Sequence, residues 1–396
     1  MLLNPANVRS MNSRRIRQVC YVGAPVVAGL VVAATLGSPA SAAPASAKLA
    51  GGWTYSQTSI NAGVTDGAEL AIDQQRRKIF VTDSDDYNYK DPRTGQVLPY
   101  PHPLNPKVSV LSTDTRKVLR SISYNNLPAN SVPVSKSVPV KMPMKQIPVG
   151  IALDTRSGRV LTTNAETNGA TIVSMNARAA TPGDMVKSKL DHPMGIAADA
   201  SIGRAYIANV SLNEVAVIDT ATRREITRIK DIYSPSFIAI DSSRHRVYIG
   251  NADIKTKGKI NFLTVVDSRT NKIVKKIATA ANSRPAVDAA TGKVYAASFA
   301  TGEVAVIDPD SLTIVSRIQT GSTPNKIVID SKRRVAYTAN LFKKSFTVID
   351  LKNNSVVGTI PAGVGVHTLA VDDRTGTVFS TQFQSSKITV LSVKRG

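Results

Sequence analysis

The sequence predicts an all-β fold: a seven-bladed β-propeller of four-stranded antiparallel blades, with its ring closed by an N-terminal strand. Three observations carry this. An apolar triplet closing in Asp recurs seven times, a strand like V-x-V-I-D follows each triplet, 20 residues on in most units, and the last unit stops after its third strand.

The marker residues are Asp73, Asp154, Asp199, Asp241, Asp288, Asp330 and Asp372, spaced by 81, 45, 42, 47, 42 and 42 residues. The second motif is clearest at 215–219, 304–308 and 346–350 and recurs in weaker form in the other four units. Each unit of about 42 residues then holds four short strands with period-2 alternation and turn residues between them. Four residues after the marker stand Gly158, Gly203, Gly292 and Gly376, where a tight hairpin needs positive φ; the other units carry Arg77, His245 and Arg334 there. The marker carboxylates are therefore expected to accept nearby backbone N–H groups as turn formers. Segment 53–60 alternates like an outer strand, and pairing with the last unit at 388–392 would complete the seventh blade and remove the ring's free edges.

Residues 1–47 read as an address and short linker ahead of a single propeller at 48–396. Arg9, Arg14, Arg15 and Arg17 precede an apolar run at 19–36, which ends in two A-x-A sites, 40–42 and 45–47. Cleavage would export the protein, to the medium or the cell envelope, with no membrane span. Retention as an anchor is the rival reading, since about 18 apolar residues can span a bilayer. The formal charge is +22, and loss of those four arginines leaves +18.

The second strands read Tyr206-Ile207-Ala208-Asn209, Tyr248-Ile249-Gly250-Asn251 and Tyr337-Thr338-Ala339-Asn340, with Leu161-Thr162-Thr163-Asn164 close behind. With the V-x-V-I-D strands, this resembles the YVTN-repeat, YncE-like β-propeller family over about residues 60–392. The resemblance implies the propeller fold and an extracytoplasmic location. It names no single activity, since the family's relatives include binding propellers and some lactonases. Three units depart from the tetrapeptide, ending in Asp83, Ser298 and Gln382.

Several chemistries are excluded at this level. One Cys builds neither a disulfide framework nor a Cys-based metal centre, and the four His show no ligand spacing. No phosphate-binding loop, nucleophile elbow or dinucleotide fingerprint occurs in a fitting context, so no cofactor and no metal are expected.

Two insertions break the repeat, near 84–103 and near 125–146, and both are expected on the face that carries the second-to-third-strand and blade-to-blade loops. The first carries Tyr87, Tyr89 and Tyr100, able to stack on a ligand; the second is an extended Pro and Lys segment. On the same face, the residues just ahead of each inner strand ring the channel mouth. Arg284, Asn325, Lys326 and His367 on consecutive blades, with Glu69 next round, are the candidate ligand site. If the ring is an enzyme, His367 and Glu69 are its candidate acid–base pair.

The opposite face is basic. Its turns hold Arg76, Arg77, Lys78, Arg223, Arg224, Arg244, Arg246, Lys332, Arg333 and Arg334, a candidate surface for nucleic acid or an anionic envelope polymer. The expectation is thus a monomeric exported propeller that binds an anionic macromolecule, or another extracellular protein, through basic turns and inserted loops. A hydrolase, lactonase or lyase with its site at the channel mouth, or a rigid spacer in the envelope, are the alternatives.

Overall fold

A computed structural model describes residues 46–84, 105–135, 138–252, 261–383 and 385–396, with the backbone alone of 131–144. It is a ring of seven antiparallel sheets, each meandering outward from an inner strand at the channel.

Blade 1 is built from Gly67–Asp73, Lys78–Asp83, Lys107–Ser112 and Val118–Ser123. Blades 3 to 6 begin at Pro193, Pro235, Ser283 and Lys326 and repeat that four-strand order. Blade 2 departs from the expected four strands. Ile151–Asp154, Arg159–Asn164 and Gly169–Ser174 form a three-stranded sheet, and the outer position is held by an irregular segment with a short 3₁₀ turn, Pro182–Asp184, touching the sheet through one bridge, Thr171 to Met185.

Blade 7 closes the ring as the alternation at 53–60 predicts. Trp53–Asn61 pairs antiparallel with Lys387–Arg395 along nine residues, and Ser46–Lys48 adds a short fifth strand outside it. Trp53 and Tyr55 point inward and join a core with Phe346, Ile360 and Leu391, so closure is hydrophobic as well as hydrogen-bonded.

The middle strands read as unbroken apolar runs because both of their faces are covered by neighbouring blades. Tyr206, Val215 and Val217 of blade 3 pack on Val247, Ile249 and Val266 of blade 4, and every interior residue of Glu214–Asp219 is buried. Outer strands alternate or are mostly exposed, as in Lys272–Ala278. In five blades the third-to-fourth pairing carries a bulge at one position, leaving Leu119, Ile226, Val274, Val315 and Val357 as the extra residue. A bulge twists an exposed edge away from further pairing.

The first-to-second-strand turns match the sequence reading at all seven positions. Gly158, Gly203, Gly292 and Gly376 have φ of 64–74°, and Arg77, His245 and Arg334 adopt φ of 53–59° at the same place. Every marker Asp is buried and accepts a backbone N–H two or three residues on, as in Arg76 to Asp73 and Arg333 to Asp330, both 3.0 Å.

Candidate functional site at the channel mouth and the turn face

The YVTN-like tetrapeptide builds the channel mouth. Its Thr spans two blades. The Thr163 hydroxyl accepts the Gly150 N–H (3.1 Å) and donates to the Met194 carbonyl of blade 3 (2.5 Å). Thr82 does the same between Glu69 and Val149, and Thr381 between Thr368 and Ala68. Where this position is Gly250, the Ser283 carbonyl of blade 5 comes so close that a Cβ would lie 1.9 Å from it. The tetrapeptide's last residue clamps its own blade's lead-in loop, eighteen residues back. Asn164 donates to Gln146, Asn209 accepts from the Asp191 N–H, and Asn251 donates to the Tyr233 carbonyl. The departures keep the job with different chemistry: Asp83 accepts the Thr65 and Asp66 N–H groups, and Ser298 donates to the Ala281 carbonyl. Blades 6 and 7 differ, since Asn340 and Gln382 bond to neighbouring strands instead.

These clamps set the mouth residues, and the sequence-predicted cluster does come together. Arg284 is buried between two rings, its guanidinium carbon 4.3 Å from the Phe237 centroid and 5.2 Å from that of Phe299. It donates to the Asn282 carbonyl and to Asn325 Oδ1, both at 3.3 Å, and Asn325 Nδ2 in turn donates to the His367 carbonyl at 2.8 Å. Burial pushes the Arg284 guanidinium down to about 9, with Glu69 pulling the other way. Lys326 reaches Glu69 at 3.5 Å, over blade 7, and links blade 6 to blade 1.

His367 Nδ1 donates to the Ala68 carbonyl at 2.9 Å, which fixes the tautomer when the ring is neutral. Burial lowers its pKa, as do Arg284 and Lys326, while the Ala68 carbonyl and Glu69 pull it up. Glu69 Oε2 also accepts the Ile151 N–H at 3.4 Å. Both residues of the candidate acid–base pair are therefore engaged in holding the mouth together. Phe237 belongs to the ring of mouth positions read from the register, but its stacking on Arg284, and the presence of Phe299 on the other side, were not foreseen, because nothing in one blade's sequence reveals which ring a neighbouring blade will offer.

Tyr87, Tyr89 and Tyr100 lie outside the described residues, as does most of the first insertion. The second insertion is a correction to the extended segment expected from its prolines. Asn130–Ser135 and Val138–Met144 pair as an antiparallel hairpin, anchored where Asn130 donates to the Thr167 carbonyl and Gln146 Nε2 to that of Pro128.

On the turn face the structure divides the ten candidate cations. Seven are engaged. Arg76, Arg244 and Arg333 each pair with their own marker Asp and reach a carbonyl in the next blade's turn: Thr155, Thr291 and Asp373. Arg77 and Arg334 bind the marker carboxylates Asp372 and Asp288 of the preceding blade. Arg246 pairs with Asp267. Arg223 pairs with Asp184, and its Nε–H caps the Ile172 carbonyl on blade 2's third strand. Lys78, Arg224 and Lys332 make no ion pair among the described residues. The shared pattern is asymmetric: the Asp73 and Asp330 side chains are 0% exposed, whereas their partners Arg76 and Arg333 are 39% and 37% exposed.

No family model matches the chain. Over 142 residues it is 28% identical to the uncharacterized protein YncE of Salmonella typhi, and equally to that of Salmonella typhimurium. That stretch is 35% of this chain and 38% of each relative, so the chain spans well under half the length of the curated relatives it matches. Among solved structures, the WD40 β-propeller domain of Doa1 superposes with a TM-score of 0.61 at 9% identity, and the hydrazine synthase of Kuenenia stuttgartiensis with 0.63 at 14%. Each covers 85% of this chain and 97% of its own, a likeness of fold. The chain is a seven-bladed β-propeller closed by an N-terminal strand, and over about a third of its length it is similar to YncE.

Proposed function

We propose that the ring is an extracytoplasmic binding module whose turn face docks an anionic polymer, a nucleic acid or an envelope polymer. The observation that carries this reading is the asymmetry of the turns: in blades 1, 4, 5, 6 and 7 the marker carboxylate sits buried at the base of the hairpin, and its guanidinium partner reaches solvent. Together with Lys78, Arg224 and Lys332, this gives an outer surface richer in cations than its residue count suggests. The arginine lattice holds those charges in fixed positions, so little side-chain entropy is lost on docking. A propeller scaffold suits such a binding role.

The test is a titration of the purified protein with single-stranded DNA, duplex DNA and an anionic wall polymer across a salt series. Lys78→Glu, Arg224→Glu and Lys332→Glu together should leave the fold intact, because none of them ties two blades. Binding should weaken and, on duplex DNA, the log–log salt slope should fall by about 3 to 5, since each reversal also adds repulsion. An unchanged affinity and slope would remove the turn face from consideration.

A further inference from the structure

Four blades share one second-to-third-strand turn, and one of them breaks its pattern. The turn is four residues long and its last residue is left-handed: Asn168 (φ 55°), Asn213 (φ 56°), Gly302 (φ 73°) and Lys344 (φ 48°). In blades 2, 3 and 6 the N–H of that residue returns to the carbonyl of the first, as from Lys344 to Leu341 at 3.3 Å. Asn and Gly tolerate this conformation, whereas the Lys side chain crowds its own backbone there.

The second position departs as well. It is Glu166, Ser211 and Ala300 in blades 2, 3 and 5, but Phe342 in blade 6, which at 63% is the most exposed large hydrophobic side chain among the described residues. The turn that displays it is fixed by the Ala362 N–H bonding the Lys344 carbonyl at 2.8 Å. One edge of the ring rests on Phe299 of blade 5, centroids 5.8 Å apart at 67°. Lys343 and Lys344 beside it are exposed and make no ion pair among the described residues. Blade 6 therefore tolerates a disfavoured backbone and an uncovered aromatic where its sister blades use the residues the turn prefers. Such local departures from a repeat mark function rather than folding.

We propose that this knuckle, residues 341–344, binds an acidic protein segment that presents an apolar or aromatic side chain. A ring on a rigid turn is a low-entropy anchor of the kind that dominates protein contacts, and two flanking ammonium groups select carboxylates beside it. Single-stranded nucleic acid is the weaker fit, because it stacks successive bases on several open rings. Here, among the described residues, Phe342 is the one exposed ring of the knuckle, and Phe299 beneath it is buried. The site stands on the mouth face, away from the turn face, and does not depend on that proposal.

The probe is a random Glu/Tyr copolymer, followed by fluorescence anisotropy, with poly-Glu and oligo-dT as comparisons. The copolymer should bind more tightly than poly-Glu. Phe342→Ala should lower its affinity about tenfold, and so should Lys343→Glu with Lys344→Glu, whose exposed positions spare the fold. On the background of the turn-face triple variant, which weakens docking of polyanions on the other face, Phe342→Ala should still lower copolymer affinity about tenfold. Equal copolymer affinity with and without Phe342, or poly-Glu binding as tightly as the copolymer, would overturn the proposal. A loss confined to oligo-dT would assign the knuckle to nucleic acid instead.

Discussion

Arg77 of blade 1 grips Asp372 of blade 7 with two parallel hydrogen bonds, each of 2.6 Å, across the joint where the ring closes. The carboxylate is 1% exposed and the guanidinium 19%, and Asp114 links the same arginine to Arg374 on the outside of the joint. Arg77→Ala strands a buried charge. It should lower unfolding stability by about 3 kcal/mol, read from urea denaturation midpoints. Arg77→Lys should recover only part of this, since an ammonium cannot make the paired contact. A loss below about 0.5 kcal/mol would show the joint to be held by apolar packing alone.

Acid should loosen the ring in two stages. Burial pushes the Asp372 carboxyl up, but hydrogen bonds from Arg77, Thr375 and the Arg374 N–H outweigh it and hold the group at about 2, below its ordinary 3.8. A depressed acid stabilises the fold above its ordinary value and loses that contribution as pH falls through its folded one. About 2 kcal/mol should therefore disappear between roughly pH 5 and pH 1. His367 and His192 are depressed as well, chiefly by burial, so the unfolded chain takes up their protons first and stability should decline as pH drops below about 6.5. Melting temperatures from pH 8 to pH 2 check both stages. His367→Asn should make the first stage shallower, leaving the share of His192, and should leave the second unchanged.

Thr163→Val keeps the shape of the side chain while orphaning the buried Gly150 N–H and the Met194 carbonyl. A stability loss of about 1 to 3 kcal/mol is expected, and Thr163→Ser should restore most of it. Hydrogen exchange at the Gly150 amide gives a local readout. If the amide is as protected in the valine variant as in the unchanged protein, the hydroxyl bridge is dispensable.

Gly250→Ala places a methyl group 1.9 Å from the Ser283 carbonyl oxygen, and both partners are backbone held in adjacent sheets. The cost should be at least about 2 kcal/mol, visible in the thermal midpoint. Blade 3 carries Ala208 at the equivalent position, so the requirement belongs to one pair of blades and not to the repeat.

Much of the fold was legible because it is local. The marker Asp residues, the left-handed turn position and the alternation of 53–60 act within one hairpin or one strand pair, and a repeat presents the same pattern seven times over. What was not legible is what one blade does to the next. Arg76, Arg244 and Arg333 look like free surface charge in sequence, yet each bridges to a neighbouring turn. The missing outer strand of blade 2 was hidden because residues 177–187 have the length of a strand and its turn but bridge the sheet at one point only. Pro133, Pro139 and Pro143 argued against strands at 130–144. A two-stranded ribbon has free edges on both sides, so a proline need not interrupt a ladder there. At the mouth, the cluster of Arg284, Asn325, Lys326 and His367 was legible from its register, and the phenylalanine clamp around Arg284 was not.

The closing strand also sets a schedule. Gln382 hydrogen-bonds Ser59 across 323 residues of chain, and Trp53–Asn61 finds its partner only once Lys387–Arg395 is present. During synthesis, the first strand must therefore wait unpaired until the end of the seventh unit emerges. That interval leaves an unpaired strand, with Trp53 and Tyr55 uncovered, open to chaperones, to proteases and to a second copy of the chain.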